Sequence, residues 1–194
     1  GNLVYGTTKQ ITSHGMTCGE IIQKDTSASF EQLETDLVST SDYLNSLEST
    51  GEAYKQWSSY IFDLTDGPTV NVFHTTCQDF NDNSVSEYKI IGGTDSQTII
   101  VNIEGTTGCG LRNGGYQFEN NFPERHVIWN FPQATSINMA AVRGTVLAPH
   151  ADISFPYGVI EGQIVGKSFS GAGQINYKIF NGCIPQDDTV DKWA

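Results

Sequence analysis

The sequence is poor in charge, and above all in positive charge. Its 194 residues include 10 lysines and arginines against 22 aspartates and glutamates, which gives a net charge of −12. Charged residues make up 16% of the chain, compared with about 25% in an average soluble domain. Nucleic-acid binding requires a concentrated basic face, so nucleic acid is not expected as a partner. An acidic surface instead favours solubility and attracts cations or basic protein surfaces.

Segments that would direct the chain to a membrane, and motifs that would give it a common catalytic activity, are also missing. No run of about 18 apolar residues occurs, so no membrane-spanning segment is expected. The sequence has no signal peptide and no Asn-x-Ser/Thr glycosylation site. It has no Gly-x-Ser-x-Gly elbow, phosphate-binding loop, dinucleotide fingerprint or pair of histidines on one helix. No catalytic class is therefore predicted from motifs.

Cysteine is scarce and widely spaced. Cys18, Cys77, Cys109 and Cys183 include no CxxC pair, which argues against a structural zinc site. Scattered cysteines in an acidic chain favour two disulfides formed in an oxidising compartment, and buried free thiols are the alternative. Four cysteines allow three pairings. We favour Cys77 with Cys109, because both flank strands of the same middle block, and Cys18 with Cys183 follows from that choice.

One segment has the period of an α-helix. Between Ser29 and Gly51, apolar residues recur at steps of three and four. They are Phe30, Leu33, Leu37, Leu44 and Leu47. Ser29 followed by Gln32 matches a capping box, and Gly51 fits a helix end. We predict a helix over about 29–50 whose narrow apolar stripe is buried against a sheet.

The rest of the chain has strand patterns, and its last third contains an internal repeat. Residues 142–148 match 160–166 at an offset of 18, and residues 150–154 match 168–172 more loosely. A strand-rich period near 20 residues is typical of a β-helix. We therefore predict a mainly β fold, a β-solenoid (β-helix) with one long α-helix packed alongside. It would form a single domain over 1–183, followed by a tail over 184–194.

These segments resemble a known family. GTVLAPHA at 144–151, followed by IEGQIVGKS at 160–168, resembles the closing signature of choice-of-anchor A domains. GNLVYG at 1–6, followed by the helix, is similar to the middle of those domains, so the resemblance covers most of 1–182. It implies a β-solenoid with a helix alongside, on surface-exposed adhesive proteins, and no catalytic residues. A similar phrase occurs in the ice-binding domains of another family with a solenoid and a helix.

One group of oxygen-bearing side chains partly matches a calcium loop. Asp79, Asn81 and Asn83 have the spacing of the first three ligands, and Glu87 stands at the ninth position. The positions that such a loop reserves for Gly and for a bidentate Glu do not match. A polar turn is the alternative, because Asn and Asp favour turn geometry. No cofactor is expected, and calcium is the one candidate.

The resemblance implies a secreted or cell-surface adhesive or structural module without catalytic activity. It would bind extracellular matrix, polysaccharide or like subunits through an extended solenoid face. Ice binding is the alternative, but the threonine pairs at 7–8, 75–76 and 106–107 do not repeat at the rung period. A further alternative is a carbohydrate-active enzyme on a β-helix, which needs two converging carboxylates. The available carboxylates are Asp79, Glu104, Asp152 and Glu161.

The two ends of the chain lead to an expectation of assembly. The strand pattern begins in mid-course at Gly1, and choice-of-anchor A domains have further strands before that position. A solenoid without a terminal rung exposes strand edges. We expect assembly with a missing N-terminal segment or a neighbouring subunit. Trp193 in the acidic tail is a candidate partner contact, because aromatic residues make good anchors. A tail with one exposed Trp is the alternative.

Overall fold

The protein is mainly β, and almost all its strands pair in parallel. The computed structural model describes residues 3–5, 21–23, 27–112 and 114–185. The chain divides into two compact units, Gly1–Leu37 and Val38–Ala194. Cys18, Trp193 and all of the predicted tail beyond residue 185 lie outside the described residues. The predictions about them, and the division into one domain and a tail, stay predictions.

The helices and strands of the described residues are numbered in chain order. The helices are α1 (Ser27–Ser46) and α2 (Cys77–Phe80), with 3-10 turns at Glu119–Asn121 and Glu124–His126. The strands up to residue 111 are β1 (Leu3–Tyr5), β2 (Ile21–Gln23), β3 (Tyr54–Gln56), β4 (Ser59–Asp63), β5 (Val70–Thr76), β6 (Glu87–Ile91), β7 (Thr98–Glu104) and β8 (Cys109–Leu111). Those that follow are β9 (Gly115–Phe118), β10 (Val127–Asn130), β11 (Ser136–Met139), β12 (Ala141–Arg143), β13 (Thr145–Phe155), β14 (Val159–Gly162), β15 (Ile164–Gly171) and β16 (Gln174–Tyr177).

In the first unit, β1 pairs in parallel with β2, and Leu3 lies opposite Ile21. In the second unit, parallel strands form three stacks, named here by their contents. The tyrosine stack is β4, β6 and β9, with β3 antiparallel on its edge. The helix stack is β5, β7, β10 and the first halves of β13 and β15. The serine stack is β8, β11 and the second halves of β13 and β15, and β12, β14 and β16 form a separate sheet.

The repeat predicted between 142–148 and 160–166 is confirmed as strand register. Val142 lies opposite Ile160, and Val146 lies opposite Ile164. The looser match of 150–154 with 168–172 is wrong, because Asp152 lies opposite Ser168 rather than Ser170. The pairing of β13 with β15 is irregular between Ala148 and Asp152, and this irregularity places two more residues on β13 than on β15 there.

A longer repeat relates the earlier strands, whose paired residues lie 28 positions apart in the sequence. This spacing holds for β4, β6 and β9 of the tyrosine stack, for β5 with β7, for β7 with β10, and for β8 with β11. It is visible in the tyrosine stack as SYIF, EYKI and GYQF, at residues 59–62, 87–90 and 115–118. The tyrosines of these segments, Tyr60, Tyr88 and Tyr116, lie opposite one another. Each therefore points from its strand to the same side, into the core.

The core is built around Trp129, which is fully buried on the inner side of the helix stack. Its ring lies 5.7 Å from Phe62, 5.5 Å from Phe80 and 6.3 Å from both Tyr88 and Tyr116, measured between ring centroids. Aromatic pairs at such distances add to the stability gained from burial alone. The tyrosine and helix stacks thus share one aromatic core.

Burial of the tyrosines predicts a loss of stability at high pH. Removal from water raises the pKa of Tyr88 to about 12 and also raises the pKa of Tyr60 and Tyr116. The folded-state pKa lies above the unfolded value of about 10. The contribution of these tyrosines to the free energy of unfolding is therefore fully present below pH ~10 and is lost as the pH rises through ~12. Unfolding free energies measured between about pH 8 and about pH 12 should show this decline.

The matched variant for this prediction is Tyr88→Phe. It removes one titrating group, so the decline with pH should become shallower by up to about 1.4 kcal/mol per pH unit. The lost hydrogen bond from Tyr88 Oη to Phe80 O (3.0 Å) should cost about 1 kcal/mol at neutral pH. An unchanged slope in this variant would show that Tyr88 does not titrate with the unfolding transition.

Helix α1 differs from the prediction at both ends and on its stripe. It spans Ser27–Ser46, so Ser29 lies inside it and Gly51 does not end it. Phe30 and Leu33 are 53% and 49% exposed, and their predicted burial is wrong. Leu44 is fully buried, as predicted, while Leu37 and Leu47 are half-buried. The stripe is buried only towards the end of the helix, because the contacts that hold α1 to the helix stack come from residues 41–47 of the second unit.

Those contacts are hydrogen bonds from a row of polar side chains, one on each of the strands β5, β7 and β10 of the helix stack. The bonds are His74 Nε2 with Leu47 O at 2.9 Å, Asn102 Nδ2 to Leu44 O at 2.8 Å and Asn130 Nδ2 to Ser41 O at 2.9 Å. The bonded carbonyls are three residues apart, a rise of about 4.5 Å along a helix. Neighbouring strands are about 4.8 Å apart. The match lets successive rungs bind successive positions of the chain from residue 41 to 47.

Candidate binding surface

The serine stack has one face in the core and one face in solvent, because side chains alternate along each strand. Ile137, Ile153 and Phe155 are buried on the inner face. The outer face carries two rows of small residues, which we call the polar face. The first row is Ser136, Asp152 and Ser168, and the second is Gly110, Asn138, Ser154 and Ser170. Gly110 has no side chain and is itself buried.

The geometry of the polar face is regular because register neighbours in parallel strands are about 4.8 Å apart. Its side chains are short, and those of Ser136, Asn138, Asp152, Ser168 and Ser170 are exposed. Ser154 is half-buried at the centre. Hydrogen-bonding groups therefore recur from strand to strand across this surface.

The polar face carries little charge. Asp152 is its one charged member, and Ser168 Oγ donates a hydrogen bond of 2.6 Å to Asp152 Oδ1. The remaining side chains are hydroxyls and one amide, which both donate and accept hydrogen bonds. None of the seven residues is aromatic or aliphatic. Such a surface suits a hydrated and repetitive partner rather than an ionic or apolar one.

The favoured disulfide is present between Cys77 and Cys109, whose Cα atoms are 4.6 Å apart. Cys77 begins α2 directly after β5, and Cys109 begins β8. The bond therefore joins the first strand of the helix stack to the edge strand of the serine stack. Cys183 is exposed and has no disulfide partner among the described residues. Its pairing with Cys18 stays a prediction.

The four calcium candidates do not share one site. Arg112 donates from Nε to Asn81 Oδ1 at 2.9 Å and from Nη2 to Asn83 Oδ1. The other two candidates are carboxylates with partners of their own. Asp79 bonds with Thr76, and Glu87 bonds with Ser59 and Lys89. In the described part of the chain, no three His, Cys, Asp or Glu residues are grouped to hold a metal ion. Calcium binding stays a prediction, and it would require displacement of the Arg112 guanidinium.

The carboxylates considered for sugar hydrolysis also have separate partners. They are Glu104 with His74, Glu161 with Arg143 and Lys178, Asp79 with Thr76, and Asp152 with Ser168. An open cavity of about 350 Å³ between β9 and β12 includes Glu161 but none of the other three. Of the four, Glu161 alone lines that cavity, and catalysis by a carboxylate pair from this set stays a prediction.

Apart from Asp152, which was considered as a carboxylate, the residues of the polar face were not predicted from the sequence as a site. A signal was available, because SIN at 136–138, DIS at 152–154 and SFS at 168–170 recur at a constant spacing. Each triplet has a polar, apolar, polar order, which is typical of a half-buried strand.

Among the described residues, no helix is long and apolar enough to cross a membrane.

A family model described as "Putative Ice-binding-like adhesive domain" matches residues 1–177 of the chain. Among solved structures, the chain is similar to an ice binding protein from an Antarctic bacterium of the Flavobacteriaceae, with 16% sequence identity and a TM-score of 0.49. That similarity covers 95% of this chain and 45% of the other, so the chain spans less than half the length of that structure. No curated protein matches the chain.

Proposed function

We propose that the chain, which belongs to the ice-binding-like adhesive domain family, is a non-catalytic surface module that attaches through its polar face. The observation that carries the proposal is the alignment of two rows of small polar side chains across three strands of the serine stack, β11, β13 and β15. Many equal contacts spread over such a face suit adhesion to an extended surface. The match to an adhesive-domain family supports a role without hydrolytic activity.

The proposal includes an architecture, a β-solenoid of the choice-of-anchor A type with α1 packed alongside. Parallel register supports it, because the parallel strands of the second unit pair with partners 28 residues away up to β11 and 15 to 18 residues away from β13 on. A solenoid presents extended faces because each rung repeats the outward positions of the last. Hydrogen bonds from three rungs of the helix stack to residues 41–47 support the placement of the helix.

We place the protein at the cell surface or outside the cell. The Cys77–Cys109 disulfide supports this, because disulfides persist in oxidising compartments. Extracellular matrix, polysaccharide and like subunits are the partner classes. A net charge of −12 disfavours polyanions among them, and the hydroxyls of the polar face favour hydrated, neutral polymers.

Ice is the second candidate ligand, and one observation favours it specifically. The side chains of the polar face recur from strand to strand, as recognition of a crystal surface requires, although the repeated residues are Ser and Asn rather than Thr. The threonine pairs considered from the sequence therefore do not decide the question. An ice-recrystallisation assay separates this function from adhesion to polymers.

The substitution Ser154→Trp tests the polar face. A bulky side chain at the centre of the face should hold an extended ligand away from the neighbouring rows. We expect about tenfold weaker binding, which corresponds to about 1.4 kcal/mol. The measurement is retention of the full chain on an array of immobilised glycans and matrix proteins, together with inhibition of ice recrystallisation.

The matched control is Gln117→Trp, at an exposed position on β9 of the tyrosine stack. This variant should bind as the wild type does. Equal binding by the Ser154→Trp variant would show that the polar face is not the attachment surface. Reproducible turnover of a sugar, ester or peptide by the wild type would overturn the non-catalytic assignment.

A further inference from the structure

We propose that the cavity between β9 and β12, called here the β9–β12 groove, binds one unit of a neutral saccharide. The groove has a volume of about 350 Å³ and is lined in part by Tyr116, Arg143, Val159 and Glu161. None of these residues belongs to the polar face. The inference is therefore independent of the function proposed for that face.

The groove exists because the parallel ladder is interrupted. Among the described strands, β9 pairs with β6 and β12 pairs with β14, but β9 does not pair with β12. Instead, two aromatic side chains donate hydrogen bonds to backbone carbonyl oxygens of β12. Tyr116 Oη donates to Ala141 O at 3.0 Å, and Trp129 Nε1 donates to Arg143 O at 2.8 Å. These bonds oppose insertion of a peptide strand, which would need free acceptors along β12.

The polar side of the groove is balanced in charge. Arg143 Nε lies 3.0 Å from Glu161 Oε2, and Lys178 Nζ lies 3.7 Å from Glu161 Oε1. Lys178 also pairs with Glu124. Two cations and two carboxylates thus already neutralise one another. An ionic ligand would have to break a pair, whereas hydroxyl groups can accept from the guanidinium and donate to the carboxylate without doing so.

The other side of the groove is apolar. Val159 is 40% exposed, Val142 is buried, and Tyr116 is half-buried. A sugar ring has an apolar C–H face and a rim of hydroxyls, so it matches an apolar wall beside an ion pair. The volume is near the lower end of ligand sites, which span about 300–1,000 Å³. The groove therefore fits one sugar unit of a chain whose neighbours stay in solvent.

The test measures binding of neutral oligosaccharides to the full chain. Glucan, mannan and chitin oligomers are titrated at up to millimolar concentration, and binding is followed by calorimetry and by NMR shifts. We expect at least one oligomer to bind, and Val159→Trp to weaken it about tenfold by filling the groove. The matched control is Gln56→Trp, at an exposed position on β3 that does not line the groove. That variant should retain wild-type affinity.

A second variant, Glu161→Gln, keeps the shape of the side chain and removes the charge of the acceptor. Weaker oligosaccharide binding with an unchanged thermal midpoint would assign Glu161 to the ligand. The proposal is overturned if no neutral oligomer binds, if Val159→Trp binds as well as Gln56→Trp, or if peptides or anionic sugars bind more tightly. Ser154→Trp should leave oligomer binding unchanged, so failure of the polar face and failure of the groove are distinguishable.

Discussion

Replacing both Cys77 and Cys109 with Ala is expected to lower the free energy of unfolding by about 3–4 kcal/mol. The disulfide joins residues 32 positions apart, and the unfolded chain without it gains the conformational entropy of that loop. Denaturant unfolding of the oxidised wild type and the double variant measures the difference. Thr107→Ala is the control, because Thr107 is exposed close to Cys109 and its loss should change stability by less than about 0.5 kcal/mol.

The disulfide also bears on the proposed binding surface. Cys109 directly precedes Gly110, the first member of the second row of the polar face, on the edge strand β8. We therefore expect increased amide exchange in β8 of the double variant before the rest of the serine stack is affected. Alkylation of Cys77 and Cys109 in the native, unreduced protein, or a loss below about 1 kcal/mol, would contradict the assignment.

The substitution Asn130→Ala is expected to cost about 3 kcal/mol, because it leaves buried polar groups without partners. Asn130 is fully buried and donates to Ser41 O and to Asn102 Oδ1, at 2.9 and 2.8 Å. It also accepts a hydrogen bond of 2.6 Å from Ser41 Oγ. Each unsatisfied buried partner costs about 1–3 kcal/mol. Chemical unfolding measures the loss of stability.

Hydrogen exchange distinguishes this anchoring role from a general packing defect. Amides in the last turns of α1 should lose protection in the Asn130→Ala variant, while those of the tyrosine stack keep theirs. Asn138→Ala is the control, since Asn138 is exposed on β11 and should change stability by less than about 0.5 kcal/mol. Unchanged protection of α1 would show that the row of polar side chains does not hold the helix.

Part of the fold could be predicted from the sequence, because the spacing of apolar residues within one segment indicates a helix or a repeated strand. The pairing of 142–148 with 160–166 was visible as a repeat, since the rungs there have nearly constant length. The helix was visible for the same reason. The stripe from Phe30 to Leu47 gave its existence but not its burial, because a stripe does not specify how much of its length meets a sheet.

The candidate sites were less predictable because their partners are distant in sequence. The Cys77–Cys109 pair was favoured from its place in one block of strands. The calcium hypothesis, in contrast, did not include Arg112, which binds Asn81 across 31 residues. Nothing in the local spacing of 79–87 reveals that guanidinium. The groove between β9 and β12 was equally invisible, since it arises from an interrupted ladder rather than from any motif.

The amino-acid sequence by itself determined the β character, the helix, the acidic balance and the parallel repeat, because each depends on composition or on spacing within one segment. Only the tertiary structure decided which outward residues become neighbours. Ser136, Asp152 and Ser168 form one row because the short rungs of the serine stack bring them into register. The row at His74, Asn102 and Asn130 depends on the longer rungs of the helix stack and on a helix rise that matches the strand spacing. Which residues share such a surface depends on the number of residues between one strand and the next. That number determines neighbours only once the strands have paired.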